Sequence, residues 1–267
     1  MPAQDEALAT FTAEEAIAVA QRLEESDSVV LVGGQSLNFW AERFFEADAE
    51  LAQLVPFESH DIDFLGSLRD ARSCAERLGG KWISPPLEAV ATPEVGIVEC
   101  TINGKELRID FLGFMAGVGT PQARATAIRQ DIGQGVTLRV LHPLAILQSR
   151  LSNIYTLHRR DRLALRQMRA SICVLRQFVK AIAAEDPRTA LDLIEDVFDI
   201  ACSLNGRKLW LEHGVDIFAA IETCPGLPQD FTRQRLPRMR AEIAHRRERY
   251  RQNQLAVANR KRRRRRA

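Results

Sequence analysis

Three aspartates and a glycine pair are the residues in this chain whose types and spacing can do chemistry. Asp61 and Asp63 stand two apart in ESHDIDFLG (58–66), where Ile62 and Phe64 point the other way. On a strand, residues i and i+2 share a face, which puts the two Cα atoms ~6.5 to 7 Å apart. Carboxylates that close repel unless a cation, an arginine or a proton compensates them. A bound divalent ion is one solution. A solvated strand end, or one bridged to arginines, is the other. Asp110, in RIDF on a separate β-rich run, is available as a third ligand. Oxygen-only ligation by a few carboxylates suits magnesium, and a metal pair ~3.5 to 4 Å apart serves in-line phosphoryl or nucleotidyl displacement.

The glycine pair supplies the complementary half. Gly33 and Gly34 follow the short apolar run DSVVLV, and QSLNFWAERFF then has apolar residues at helical spacing. Backbone N–H groups of Gly34, Gln35 and Ser36 at a helix start can meet a phosphate. The motif is neither GxxxxGK nor GxGxxG. Alone, it reads as a plain turn with Ser36 capping the helix, since many strand-to-helix turns use glycine.

The elements that must position these residues follow from periodicity. FTAEEAIAVAQRLEES has Thr12 and Glu15 in capping-box spacing ahead of an apolar stripe, and SLRDARSCAERLGG is a helix closed by Gly79 and Gly80. Two β-rich runs around Asn103-Gly104 predict a hairpin whose second arm alternates Leu107, Ile109 and Phe111 against Arg108 and Asp110. Past residue 140 the pattern turns helical: Pro143 suits a first helical position, and Leu165, Met168, Ile172, Leu175, Val179 and Ile182 step by three and four. PRTALDLIEDVFDIACSLNG predicts a further helix stopped at Asn205-Gly206. The fold class expected is α+β: a mixed sheet flanked by helices over 1–140, then a helical domain over 141–230. Residues 231–267 are expected as a basic helix to about 251 and a disordered arginine-rich tail.

With 267 residues, 46% of them hydrophobic, the chain can bury a substantial core. The net charge of +2 conceals a segregation, since residues 233–267 carry +13 and residues 1–232 carry −11. A basic run such as RKRRRRRA attracts nucleic acid or another anionic surface, or serves as a counter-ion to the acidic body. Tyr250 is the one aromatic residue in 233–267, so base stacking is not supported there. The five cysteines lie far apart, as expected of reduced packing thiols. No apolar run approaches membrane-spanning length and MPAQDEALAT lacks a signal-like core, so the expectation is a cytoplasmic protein with no membrane partner.

The order of these features adds to their weight. GGQS, then DID, then RIDF resembles the nucleotidyltransferase superfamily that includes DNA polymerase β, over roughly residues 27–115. The stretches GGQSLNFWA, SHDIDF and LHPLAILQSRLSNIYTL are similar to the bacterial AbiEii-type group, extending the likeness to about residue 180. The group includes toxins of toxin-antitoxin and abortive-infection pairs. The resemblance implies a nucleotidyltransferase-like sheet, an NTP substrate, two Mg2+ ions and transfer of a nucleoside monophosphate to an acceptor hydroxyl. By position, Gly33, Gly34 and Ser36 would hold the triphosphate, Asp61 and Asp63 both metals, and Asp110 the catalytic metal. The implied partners are an acceptor such as RNA, particularly tRNA drawn by the basic tail, or a protein, and a cognate antitoxin. For the basic residue on the triphosphate, Arg108, Arg150 and Arg159 are the candidates. Arg150 and Asn153 share a helix face, where they either reach a nucleotide or bond between helices, and His60 is a hydrogen-bonding neighbour or a structural residue. A small-molecule acceptor, as in aminoglycoside-modifying relatives, and a non-catalytic nucleotide-binding or interaction module are the alternatives.

Overall fold

Local capping chemistry sets many of the helix boundaries in the computed structural model, which describes residues 11–23, 29–57, 59, 61–85, 92–221 and 224–264. Helix α1 (Ala13–Leu23) opens where Thr12 N donates to Glu15 Oε2 at 2.8 Å, and buries Ala13, Ala16, Val19, Ala20 and Leu23. Helix α3 (Leu68–Leu78) begins at a reciprocal capping box between Ser67 and Asp70. Helix α5 (Pro143–Tyr155) starts with Pro143 after His142, whose Nδ1 accepts from Leu144 N at 3.1 Å. His60 lies outside the described residues.

The architecture is α+β. Seven strands form one mixed sheet in the order β3-β4-β5-β2-β1-β7-β6. They are β1 (Val30–Leu31), β2 (Ile62–Leu65), β3 (Lys81–Ile83), β4 (Glu94–Ile102), β5 (Lys105–Leu112), β6 (Ile128–Asp131) and β7 (Thr137–Val140). The hairpin β4-β5 turns at Asn103 and Gly104, both with positive φ (53° and 80°), the conformation whose twist matches the strands. Strand β2 lies between β5, to which it is parallel, and β1, to which it is antiparallel. The three-residue strand β3, the largely polar strand β6 and helix α4 (Thr120–Thr126) carry too little periodicity to be read from sequence.

Helix α2 (Gly33–Phe44) follows β1 with one intervening residue and buries Leu37, Phe39, Trp40 and Ala41. Trp40 Nε1 donates to Leu141 O at 3.0 Å, fastening α2 to the turn before α5. Phe64 and Phe111, fully buried on neighbouring strands, stack with centroids 5.9 Å apart. Such a pair adds about 0.5–1.5 kcal/mol beyond its burial.

Two compact units divide at Val174 and Leu175, within helix α6 (Arg162–Glu185). The first unit therefore runs past the boundary near 140 expected from sequence, because α5 packs on α2. The second unit holds α7 (Pro187–Cys202), α8 (Leu204–His213) and α9 (Leu236–Arg264). Asn205-Gly206 does not stop α7. The break is Ser203, which ends α7 and caps α8 by accepting from Gly206 N at 3.0 Å. Arg247 of α9 is buried in a two-pronged ion pair with Asp216 and lies over Trp210. Nor does the basic helix end near 251: it continues to Arg264 through a stretch mostly of Arg, Gln, Ala, Leu and Lys, with Asn253, Val257 and Asn259 as weaker formers and no Gly or Pro after Pro237. Among the described residues no helix is long and apolar enough to cross a membrane.

Candidate functional site

Strand alternation sorts β2 and β5 into an apolar face and an acidic one. In their parallel register Phe64 lies opposite Phe111 and, one residue earlier, Asp63 lies opposite Asp110. The phenylalanines go to the core, so the aspartates are carried to the other face, on strands ~4.8 Å apart. Asp61 immediately precedes β2 and is not part of it, although it is close enough to act electrostatically on both other aspartates. The chain entering β2 is held by an antiparallel bridge in which Phe11 N donates to Ser59 O (2.7 Å) and Ser59 N to Phe11 O (3.0 Å).

The glycine pair meets this acidic face from β1. Val32 N donates to Asp63 O at 2.9 Å, and α2 begins at the next residue. Gly33 has φ +62°, and a Cβ there would overlap the Asp63 carboxylate. A Cβ at Gly34 would overlap Ser59 Oγ. The sequence reading reserved these openings for an approaching phosphate. In the structure the chain's own Asp63 and Ser59 fill them. The remaining anion-attracting feature is the first turn of α2, where no side chain caps the helix and the leading N–H groups have no acceptor within it. Ser36 is buried inside that turn rather than at the cap, its Oγ donating to Gly33 O at 3.0 Å.

Burial and crowding shift the acids strongly. Asp63 is pushed up to about 7 by burial first and by Asp61 and Asp110 next, against Arg150 and Arg159. Asp110 rises to about 6 for the same leading reason, although the Arg108 guanidinium, whose Nε donates to Asp110 Oδ1 at 3.1 Å, opposes the rise. A divalent cation among these carboxylates would reverse the penalty. The donor set fits one: it is all oxygen, and Gly33 keeps clear the space that the Asp63 carboxylate occupies. The three aspartates do not close to the 4.8 Å spacing found for Asp48, Glu50 and Cys173. In that tighter group Asp48 Oδ1 already accepts from Glu50 N and Leu51 N, both at 3.1 Å, as a turn cap.

Of the three candidate arginines, the structure separates one from the others. Arg108 is exposed and engaged with Asp110. Arg150 is buried at 9% exposure, with Nη1 donating to Gln167 Oε1 at 2.9 Å and Nε without a partner among the described residues. Arg150, Asn153, Arg159 and Gln167 line a cavity of about 70 Å³, and both arginines act on Asp63. Burial lowers the Arg150 pKa, Asp63 opposing. The side chains of two polar residues of this environment, Gln35 and Gln167, had no signal in the sequence beyond their helical spacing. Gln35 is fully buried, and its Nε2 donates to Phe11 O at 2.8 Å, tying α2 to the bridge ahead of β2.

A wider groove of about 1050 Å³ runs from Asp61 and Arg108 along the β4-β5 hairpin to Gly79 and Lys81. Glu99 of β4 sits directly between Lys81 and Arg108 across three strands. No family model, curated protein or solved structure matches the chain.

Proposed function

We propose that this chain is a magnesium-dependent nucleotidyltransferase. The observation that carries the reading is the in-register pair Asp63 and Asp110, with Asp61 beside it, set against the opening turn of α2. Asp61, Asp63 and Asp110 would hold the metal, which when bound supplies charge neutralisation on the phosphates and on the attacking and leaving oxygens. The first turn of α2, the buried Arg150 and the exposed Arg159 bind the polyphosphate. Gln167 orients Arg150 by accepting from its Nη1. Asp110 also helps to activate the acceptor by receiving its hydroxyl proton. The acceptor hydroxyl approaches along the groove that begins at Asp61 and Arg108.

The test is to incubate the protein with each labelled NTP and Mg2+ in the presence of total RNA, protein or small hydroxylated acceptors. Transfer of label that Asp63→Ala abolishes is expected. No transfer under any pairing, or transfer that survives Asp63→Ala, would remove the reading.

A further inference from the structure

The basic half of α9 is a charged surface that the proposed reaction leaves unused. Its first half is anchored in the second unit by a buried stripe, Leu236, Met239, Ile243, Arg247 and Tyr250, spaced three and four apart. The stripe ends there. Every described side chain from Arg251 to Arg262 is exposed, including Leu255 at 56% and Val257 at 47%. Residues 251–264 hold six bases and no acid, and the sequence continues with Arg265 and Arg266. Arg260, Lys261 and Arg262 make no ion pair among the described residues, whereas Arg251 lies 3.9 Å from Glu248.

We propose that residues 251–264 form a helical arm that binds double-stranded DNA through the phosphates lining a groove. Successive residues lie about 100° apart around a helix, so Arg260, Lys261 and Arg262 alone span more than half its circumference. A flat anionic surface meets one side of such a helix, while a groove presents phosphates on two walls. The B-form major groove, about 12 Å wide, admits a helix about 10–12 Å across, and the A-form major groove is too narrow. A membrane surface would need an apolar stripe on the arm. Leu255 and Val257, two positions apart, project to nearly opposite sides and do not make one. Because an isolated helix of this length is marginal in water and its cations repel one another, neutralisation by phosphates would also stabilise it.

The experiment measures binding of the full chain to a labelled mixed-sequence DNA duplex by fluorescence anisotropy across a salt series. Arg260→Gln, Lys261→Gln and Arg262→Gln together keep helix propensity. This triple variant should weaken binding about tenfold or more at low salt and reduce the log-log salt slope by about 2–3. A control that neutralises three exposed bases elsewhere, Arg69→Gln, Arg188→Gln and Arg233→Gln, should bind like the parent. Equal loss in both triples would reduce the effect to net charge and overturn the proposal. So would arm-dependent binding that is tighter to single-stranded RNA or to phosphatidylserine vesicles than to the duplex. Nucleotidyl transfer is not part of the readout, so neither claim stands or falls with the other.

Discussion

Asp63 and Asp110 face each other on adjacent parallel strands, one residue away from the stacked pair Phe64 and Phe111. The same register that closes the core therefore aligns the carboxylates. A slip of one residue would turn the acids toward the apolar core and the rings toward the acidic face.

Asp63 should limit the stability of the metal-free protein while being required for activity. Its folded pKa of about 7 exceeds the ordinary 3.8, so between those values the folded chain binds more protons than the unfolded one and stability falls as pH rises. In EDTA, Asp63→Asn should raise Tm by an amount that grows from pH ~4 to ~7, and should abolish transfer and the Tm gain on adding Mg2+. Thermal melts across that range, with and without Mg2+, check both halves.

His142 acts with the opposite sign. Burial lowers its pKa to about 4 from 6.5, so in that interval the unfolded chain takes up a proton that the folded chain refuses, and stability is lost as pH falls. Asn can keep the capping acceptor that His142 offers Leu144 N. His142→Asn should therefore lessen the acid-side loss of Tm, with a benefit that grows from pH ~6.5 down to ~4.

Gly33→Ala combines a strained φ with overlap of the Asp63 carboxylate. The left-handed conformation costs about 1–2 kcal/mol, and a displacement near 1 Å at a catalytic group can cost about 10²-fold in rate. A folded variant, by circular dichroism, with kcat reduced by about that factor is the expected outcome. Unchanged kcat would mean that Gly33 does not set the Asp63 position.

Arg150→Met tests the buried cation. Removing it leaves Gln167 Oε1 without its donor and Asp63 with less compensating charge, so stability should fall by about 1–3 kcal/mol while the protein stays folded. The KM for NTP should rise at least about tenfold, as expected when a charged contact to phosphate is lost. Since Arg150 holds the Asp63 pKa down, the pH at which Asp63 loses its proton in the metal-free protein should move up, as read by carboxyl-region NMR.

Much of the frame was legible in the residues themselves. Capping at Thr12, the Gly79-Gly80 stop, Pro143 at a helix start, the Asn103-Gly104 turn and strand alternation are local effects, determined by neighbours within a few positions. They sufficed to mark α1, α3, α5, the β4-β5 hairpin and the acid-bearing faces. The sequence also put a helix next to Gly33 and Gly34, although its first turn begins at the glycines themselves and not at Ser36. What it left open depends on partners distant along the chain. Asp63 and Asp110 became a pair only because β2 and β5 lie side by side, and the glycines proved to accommodate Asp63 and Ser59. Arg150 stood apart from Arg108 only once burial and Gln167 surrounded it. Helical propensity near residue 260 was local information too, but whether the arm stayed clear of the second unit depended on where the buried stripe ended at Tyr250. Periodicity assigns a residue to a face, whereas its neighbour across that face is chosen by packing between segments far apart in sequence.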